Sequence, residues 1–313
     1  MKKDNSGCKS PKASKKATKA TNVAVGMDLG DKTSRYCMLD ENGEVLQEAS
    51  VGTTKKTMTQ VFATMKPCRV AIEVGTHSPW VSRLLKSFGH EVIVANARQV
   101  RLISNSSRKN DRMDAQMLAR LVRVDPRLLR PIRHRSEQAQ EHLRVIRVRA
   151  ALVEARTMLV NAARGLTKAT GERLPSCDAD QMGEERMESL PATLQISLRP
   201  LLEEVESLTE KIQALDQQVE QIARTDYPET ALLRQVSGVG PLIALTFVLT
   251  VDDRERFQKS RDVGCYVGLR PRQSDSGESE PQMRITKEGD PYLRKLLVQG
   301  RTALSSGADR IRT

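Results

Sequence analysis

The chain is poor in the residues that build metal clusters, disulfide frameworks and base-stacking surfaces. Its five cysteines (Cys8, Cys37, Cys68, Cys177 and Cys265) stand apart with no Cys-x-x-Cys pair, and only four histidines accompany them in 313 residues. That scatter excludes a zinc ribbon, a zinc finger or a disulfide scaffold, and it fits a reducing, cytoplasmic location. Aromatic residues make up 3% of the chain. RRM and OB modules stack bases on Phe and Tyr, so base-stacking recognition is not expected. No apolar run approaches the ~18 residues of a membrane span. The first segment lacks the apolar core of a secretory signal, so routine export is not expected either. Hydrophobic residues at 38% and charged residues at 29% still suffice for real cores. At roughly 100–200 residues per domain, the length predicts two domains and a connector.

Positive charge is abundant, and its placement is more informative than its total of +12. Residues 1–20 hold seven Lys against one Asp in a Ser/Ala/Lys-rich stretch without apolar period, which predicts a disordered basic tail at 1–21. Residues 98–149 hold fourteen Lys and Arg against five acids. Residues 172–220 reverse the sign, with four basic and twelve acidic residues, and residues 254–313 return to thirteen against eight. Two positive blocks around a negative one suit a nucleic acid that touches both ends of the chain and avoids the middle. Backbone-dominated binding to duplex or structured nucleic acid follows; solvated helix faces are the plainer alternative.

The pattern along residues 22–130 predicts an α/β domain. Val23 to Gly30 reads as a buried strand ending in a turn, and Tyr36–Leu39 and Val45–Val51 flank Asn42-Gly43, a strong hairpin signal. Arg69 to Glu73 and Glu91 to Ala95 are further strands, with helices at Pro79–Phe88 and Asp114–Val124. The order β-β-β-β-α-β-α suits a ribonuclease-H-like domain with three leading antiparallel strands. Residues 131–226 read as a helical connector. It comprises a long helix from Ser136 to Leu166, an irregular stretch at 167–186, then Leu201, Val205, Leu208, Ile212, Leu215, Val219 and Ile222 at alternating spacings of 4 and 3. That heptad seam predicts a coiled coil with Pro200 in the first turn. Residues 227–313 form a mainly α C-terminal domain. Leu233 to Pro241 has the pattern of a helix-hairpin-helix turn, whose Gly238 and Gly240 let backbone N–H groups approach a phosphate. A polar loop at 270–290 precedes a closing helix from Pro291 to Leu304.

Four carboxylates stand out by position. Asp28 and Glu73 each end a strand, and Asp111 and Asp114 lie three apart at a helix start, on one face. If the first and fourth strands are neighbours, Asp28 and Glu73 converge and the helix brings the other pair across. Hard oxygen donors suit Mg²⁺, or Mn²⁺, rather than zinc. Two such ions ~3.5–4 Å apart stabilise both oxygens of an in-line phosphodiester displacement. The Asp pair sits in the most basic run, Arg108-Lys109-Asn110-Asp111-Arg112-Met113-Asp114. Strand-end caps are the ordinary alternative for any single acid. Gly26 to Thr33 also has the look of the first phosphate loop of actin-like ATPases, but the second phosphate loop and adenosine site of that fold are missing from the sequence.

These motifs together resemble the DEDD transposases of bacterial insertion sequences, the bridge-RNA-guided recombinases. The resemblance runs from Val23 to about Ala303 through Gly26-Met27-Asp28-Leu29-Gly30, Ala71-Ile72-Glu73-Val74-Gly75, Lys109 to Ala115, and Ser237-Gly238-Val239-Gly240-Pro241. It ends with Val267 to Arg272, Ser276-Gly277 and Arg284 to Arg294. It implies a RuvC-like N-terminal domain whose DEDD acids, here Asp28, Glu73, Asp111 and Asp114, bind Mg²⁺. It also implies a coiled coil and a C-terminal transposase domain with a nucleophilic serine, matching Ser276, with Ser274 the neighbouring alternative. DNA, a structured guide RNA and a homo-oligomer (dimer or tetramer) are the implied partners. The chain stops at Thr313, soon after the Tyr292 helix, where relatives usually continue, and the reading as a DNA-binding remnant rests on that shortening.

A serine hydroxyl needs activation before it attacks phosphorus. Nothing near Ser276 in sequence provides it, and a composite site joining the acids to the serine loop would. Arg270, Arg272 and Arg284 would steady the phosphate there, as Arg108, Lys109 and Arg112 would nearer the acids. Two other functions fit the same residues: a RuvC-like endonuclease hydrolysing DNA with the four acids alone, and a non-catalytic DNA-binding remnant.

Overall fold

The computed structural model describes residues 23–96, 111–272, 281 and 283–308, with the side chains of residue 111 and of 301–308 outside the description. Two compact units divide between His134 and Arg135. The first is an α/β unit built in the order β1 (Ala24–Asp28), β2 (Thr33–Leu39), β3 (Val45–Gly52), α1 (Lys55–Phe62), β4 (Arg69–Glu73), α2 (Ser78–Ser87), β5 (Glu91–Ala95) and α3 (Asp111–Val124). The sheet order is β3-β2-β1-β4-β5. β1 pairs antiparallel with β2 and β2 with β3, whereas β1–β4 and β4–β5 are parallel. Short turns can join only antiparallel neighbours; the parallel pairs are reached through the helical connections α1 and α2.

Residue size explains the two faces of the sheet. Val25, Met27, Val70 and Ile72 point to one side and pack on Met58 and Phe62 of α1 and Val81 and Leu85 of α2. The alternate positions carry small residues, Ala24, Ala71 and Ala95, beneath Leu118, Leu121 and Val122 of α3. Strands buried on both faces read as near-continuous apolar runs, which is why β1 and β4 were legible. Helix α1 was absent from the expected order. The Asn42-Gly43 turn is a three-residue loop: Asp40 N–H donates to the Glu44 carbonyl at 3.0 Å, and Gly43 takes the left-handed φ of 89° that this loop needs. The Asp40 carboxylate accepts from the backbone N–H of Asn42 and Glu44, and these bonds hold it below the usual carboxylate range.

The second unit is helical. α4 (Glu137–Ala169) begins at Ser136, whose hydroxyl accepts from Ala139 N–H at 3.1 Å, and α5 (Ala192–Thr225) returns beside it. The pair is antiparallel. Ala139, Leu143 and Ile146 at the start of α4 meet Val219, Ile222 and Ala223 at the end of α5, and Val160 and Ala163 meet Leu198, Leu202 and Val205. An Arg149–Asp216 ion pair and an Arg156–Thr209 hydrogen bond tie the two helices together. Within the heptad seam Leu201 and Leu215 are only half-buried, while Leu198, Leu202 and Thr209 are buried, so the contact face is broader than a heptad stripe. Pro200 departs from expectation: α5 starts at Ala192, and Pro200 lies inside it. A proline there removes the bond to the carbonyl of Ile196, at a cost of ~3 kcal/mol. Ile196 is exposed, so water can reach that turn, and burial of Leu198 and Leu202 offsets the loss.

Four shorter helices complete the unit: α6 (Thr230–Leu233), α7 (Pro241–Val251), α8 (Ser260–Val267) and α9 (Pro291–Ala308). α7 packs Leu245 and Leu249 into the cluster formed by the ends of α4 and α5. No helix among the described residues is long and apolar enough to cross a membrane.

Candidate active site

Asp28 and Glu73 end two adjacent parallel strands whose last registered pair is Met27 with Ile72, so the two acids follow one another across the sheet. Strand alternation puts Asp28 on the face of Ala24 and Gly26, and Glu73 on the face of Ala71. This is the face that α3 covers. α3 runs antiparallel to β1. Ala115 and Ala119 lie on Gly26, and Arg123 near the end of the helix donates to the Glu41 carbonyl in the hairpin at the Ala24 end of the sheet. The first turn of α3, with Asp111 and Asp114, therefore falls at the sheet end that carries Asp28 and Glu73. Asp28, Glu73 and Asp114 are all half-buried; the Asp111 side chain lies outside the described residues.

The close approach depends on Gly26. A Cβ there would stand 2.1 Å from the Ala115 carbonyl oxygen and 2.2 Å from the Ala119 nitrogen, so only glycine lets the helix backbone rest on the strand. The backbone thus brings the acids to one corner, and their hard oxygen atoms are the donors a Mg²⁺ or Mn²⁺ ion takes. Among the described residues, however, no three carboxylate, His or Cys side chains converge closely enough to hold an ion.

Beside the acids lies a cleft of about 240 Å³ bounded by Arg35, Glu48 and Arg112 over Cys37. Arg112 pairs with Glu48 at 2.5 Å, so one of the arginines expected to meet nucleic acid is held to the sheet. Burial, with help from Glu48, raises the Cys37 thiol, while Arg120 and Arg112 pull it the other way. Arg35, which the sequence reading did not single out, stands opposite Asp28 in the β1–β2 register, a relation that no local motif announces. Arg108 and Lys109 lie outside the described residues.

The serine loop has a defined base. Arg272 N–H donates to the Arg284 carbonyl at 3.0 Å and Thr286 N–H to the Arg270 carbonyl at 2.9 Å, around a Pro271–Ile285 bridge. Below this stem the two arms cross on glycines. Gly268 (φ 77°) and Gly289 (φ 74°) are left-handed, and a Cβ on them would stand 1.9 Å from the Glu288 oxygen and 2.0 Å from the Tyr266 oxygen respectively. The Arg294 guanidinium donates to the carbonyls of both Val267 and Glu288, fastening one arm to the other. Asp290 caps α9 by accepting from the N–H groups of Tyr292 and Leu293, and it pairs with Arg147 of α4. Arg270, Arg272 and Arg284 are exposed on this stem. Ser274 and Ser276, which follow Arg272 in the chain, lie outside the described residues.

In the glycine turn at 237–240, Gly238 takes a positive φ of 80°, and Gly240 precedes α7 without a side-chain cap. Its first helix, α6, is a single turn, and Gly300 of α9 packs against the Gly238 carbonyl.

Comparison with known proteins places these features in context. Residues 25–170 match a family model described as a transposase, of the DEDD IS110 type, and residues 230–313 match one described as transposase, IS116/IS110/IS902 family. A Pseudomonas aeruginosa protein named "Probable family 20 transposase" is 27% identical over 287 residues, spanning 90% of this chain and 83% of its own. The transposase for insertion sequence element IS1111A of Coxiella burnetii is 27% identical over 90% of this chain and 77% of its own. The transposase for insertion sequence element IS1328 of Yersinia enterocolitica is 29% identical, over 88% and 81%.

Proposed function

Since the chain belongs to the IS110/IS116 family of transposases, DNA-transposing enzymes of insertion sequences, we propose that it cleaves and rejoins DNA through a covalent phosphoserine link at Ser276. The observation that carries the acid-dependent part of this reading is the meeting of Asp28, Glu73 and the start of α3 at one end and one face of the sheet, and Ser276 enters it through the resemblance of its motif to the family. The β3-β2-β1-β4-β5 order, antiparallel then parallel, supports a ribonuclease-H-like, RuvC-like assignment for the first unit. In that assignment Asp28, Glu73, Asp111 and Asp114 hold Mg²⁺, with Mn²⁺ as a substitute. The bound ion would lower the pKa of a coordinated hydroxyl and offset charge building on the phosphate. Ser276 Oγ attacks phosphorus and displaces one deoxyribose oxygen, leaving a free DNA hydroxyl and a protein–DNA phosphodiester. Attack by another strand's hydroxyl reverses the step and releases the serine. One phosphodiester is exchanged for another at each stage, so no external energy source is required. Arg270, Arg272 and Arg284 hold phosphates beside the serine.

The same reading includes a structured guide RNA held by the basic blocks, and an oligomer joined through α4 and α5 as a coiled coil. Exposed Val148, Met158 and Leu166 on α4 and Ile196 on α5 support a partner for those helices.

Asp28→Asn and Glu73→Gln test the acids, because each keeps shape and removes charge. Both should abolish strand cleavage, weaken Mn²⁺ binding measured by calorimetry, and leave DNA binding within about threefold of wild type, less than 1 kcal/mol. Wild-type cleavage by either variant with Mg²⁺ present would remove the acids from the mechanism.

A further inference from the structure

The acid corner has a cationic neighbour. Arg35 on β2 is the direct cross-strand partner of Asp28. Directly opposed residues in an antiparallel pair point to the same face, so Arg35 shares the α3-covered face with the acids. Arg35 is exposed, and among the described residues it forms no salt bridge. It lines the cleft of about 240 Å³ with Glu48 and Arg112, over the buried Cys37. That space admits a phosphodiester group but is too narrow for a base pair.

We propose that Arg35 is a DNA-phosphate contact of the active site, its guanidinium taking non-bridging oxygens of a phosphodiester laid across the cleft beside Asp28. The proposal rests on the acid-site reading above. A corner that gathers the carboxylates of Asp28, Glu73 and Asp114 repels a polyanion, and a fixed cation on its rim draws the backbone in. Arginine suits the task better than lysine, because its planar fork offers two parallel donors to one phosphate. Arg112, on the far wall, is partly neutralised by its 2.5 Å pair with Glu48. Glu48 therefore sets how much positive charge the cleft presents, and a phosphate entering it competes for Arg112. In this arrangement Arg35 is the cation that is ready before DNA arrives, and Arg112 is the one released by it.

The test uses the full chain and a fluorescein-labelled duplex carrying the element's own terminal sequence. Affinity is read by anisotropy across a salt series, and cleavage is read separately. Arg35→Gln should weaken binding roughly tenfold and lower the slope of log K against log salt by about 0.9, the loss of one phosphate contact. Arg35→Lys should restore that slope while cleaving at least tenfold more slowly than wild type, because a point charge does not orient the phosphate. Glu48→Gln should bind more tightly at low salt. Circular dichroism of each variant establishes that it is folded. An unchanged slope for folded Arg35→Gln overturns the phosphate contact, and Arg35→Lys cleaving as wild type overturns the oriented fork. Failure of the underlying reading shows elsewhere: Asp28→Asn cutting at the wild-type rate removes the acids, whereas the salt slope tests Arg35 alone.

Discussion

Gly26→Ala adds one methyl group where the structure has no room for it. The new Cβ would sit 2.1 Å from the Ala115 carbonyl oxygen, against the 3.4 Å at which ordinary contact begins, and 2.2 Å from the Ala119 nitrogen. Both obstacles are backbone atoms of α3, so no side chain can rotate away. Relief requires α3 to lift by about 1.3 Å, the shortfall between those two distances. Overpacking of this kind costs about 1–3 kcal/mol and sometimes more. The upper end applies here, because Leu118, Leu121 and Val122 must lift with the helix from Ala24 and Ala71. Asp111 and Asp114 ride on the same helix, so the acids separate from Asp28 and Glu73 by a similar distance. A misplacement near 1 Å costs about 10²-fold in rate. The expected result is a folded protein with stability lowered by about 2–3 kcal/mol in urea denaturation and cleavage reduced about a hundredfold. Gly165→Ala is the matched control: Gly165 is exposed in α4 with nothing within 4 Å of a new Cβ, so alanine should add about 0.5–1 kcal/mol of stability. A Gly26→Ala protein with wild-type stability and cleavage within threefold of wild type would refute the idea that α3 rests on that glycine to place the acids.

Three further outcomes are expected. The Cys68 thiol is buried in the first core and its Sγ lies 3.3 Å from His90 Nδ1; burial pushes it up to about 11 from an ordinary 9. Native Cys68 should therefore resist iodoacetamide at mildly alkaline pH while the partly exposed Cys265 reacts, as mass spectrometry of digests would show; equal labelling would contradict the burial. Because the folded state holds this proton more tightly, its contribution to stability is whole below pH 9 and declines as pH rises toward 11. Replacing Arg270, Arg272 and Arg284 with Gln should flatten the salt dependence of DNA binding by about 0.9 per residue, and an unchanged slope would take the stem out of the DNA contact.

Most of the sheet was legible because Val25, Met27, Val70 and Ile72 form short apolar runs between turn residues. Helix α1 was not, because Lys55 to Phe62 is rich in Thr and Lys and buries only Met58 and Phe62. The Thr54 hydroxyl, accepting from Thr57 N–H, marks its start, but a single Thr is too common to serve as a signal. Pro200 was placed in a first turn because proline suits that position; packing of Leu198 and Leu202 onto α4 overrode the preference. That Asp28 and Glu73 end adjacent strands, and that Asp114 lies in the first turn of a helix, was readable from the apolar runs and the Asp-x-x-Asp spacing. The contact of Gly26 with α3 and the pairing of Arg35 opposite Asp28 were not, because both are relations to residues distant in the chain, which the linear pattern leaves out. The crossing of Gly268 and Gly289 is of the same kind: each glycine is required by the carbonyl of a distant residue.

The central claim is that a serine of this chain, and not water, attacks DNA. Trapping on a nicked duplex bearing the element's end, followed by denaturation, digestion and mapping of the DNA-bearing peptide, tests it most directly. The expected product is a denaturant-stable adduct on a peptide within residues 273–284, lost together with recombination in Ser276→Ala and retained in Ser274→Ala. An adduct mapped outside those residues would contradict it by moving the nucleophile elsewhere in the chain, and Ser276→Ala that still cuts, with no adduct in wild type, would leave hydrolysis at the acids as the chemistry.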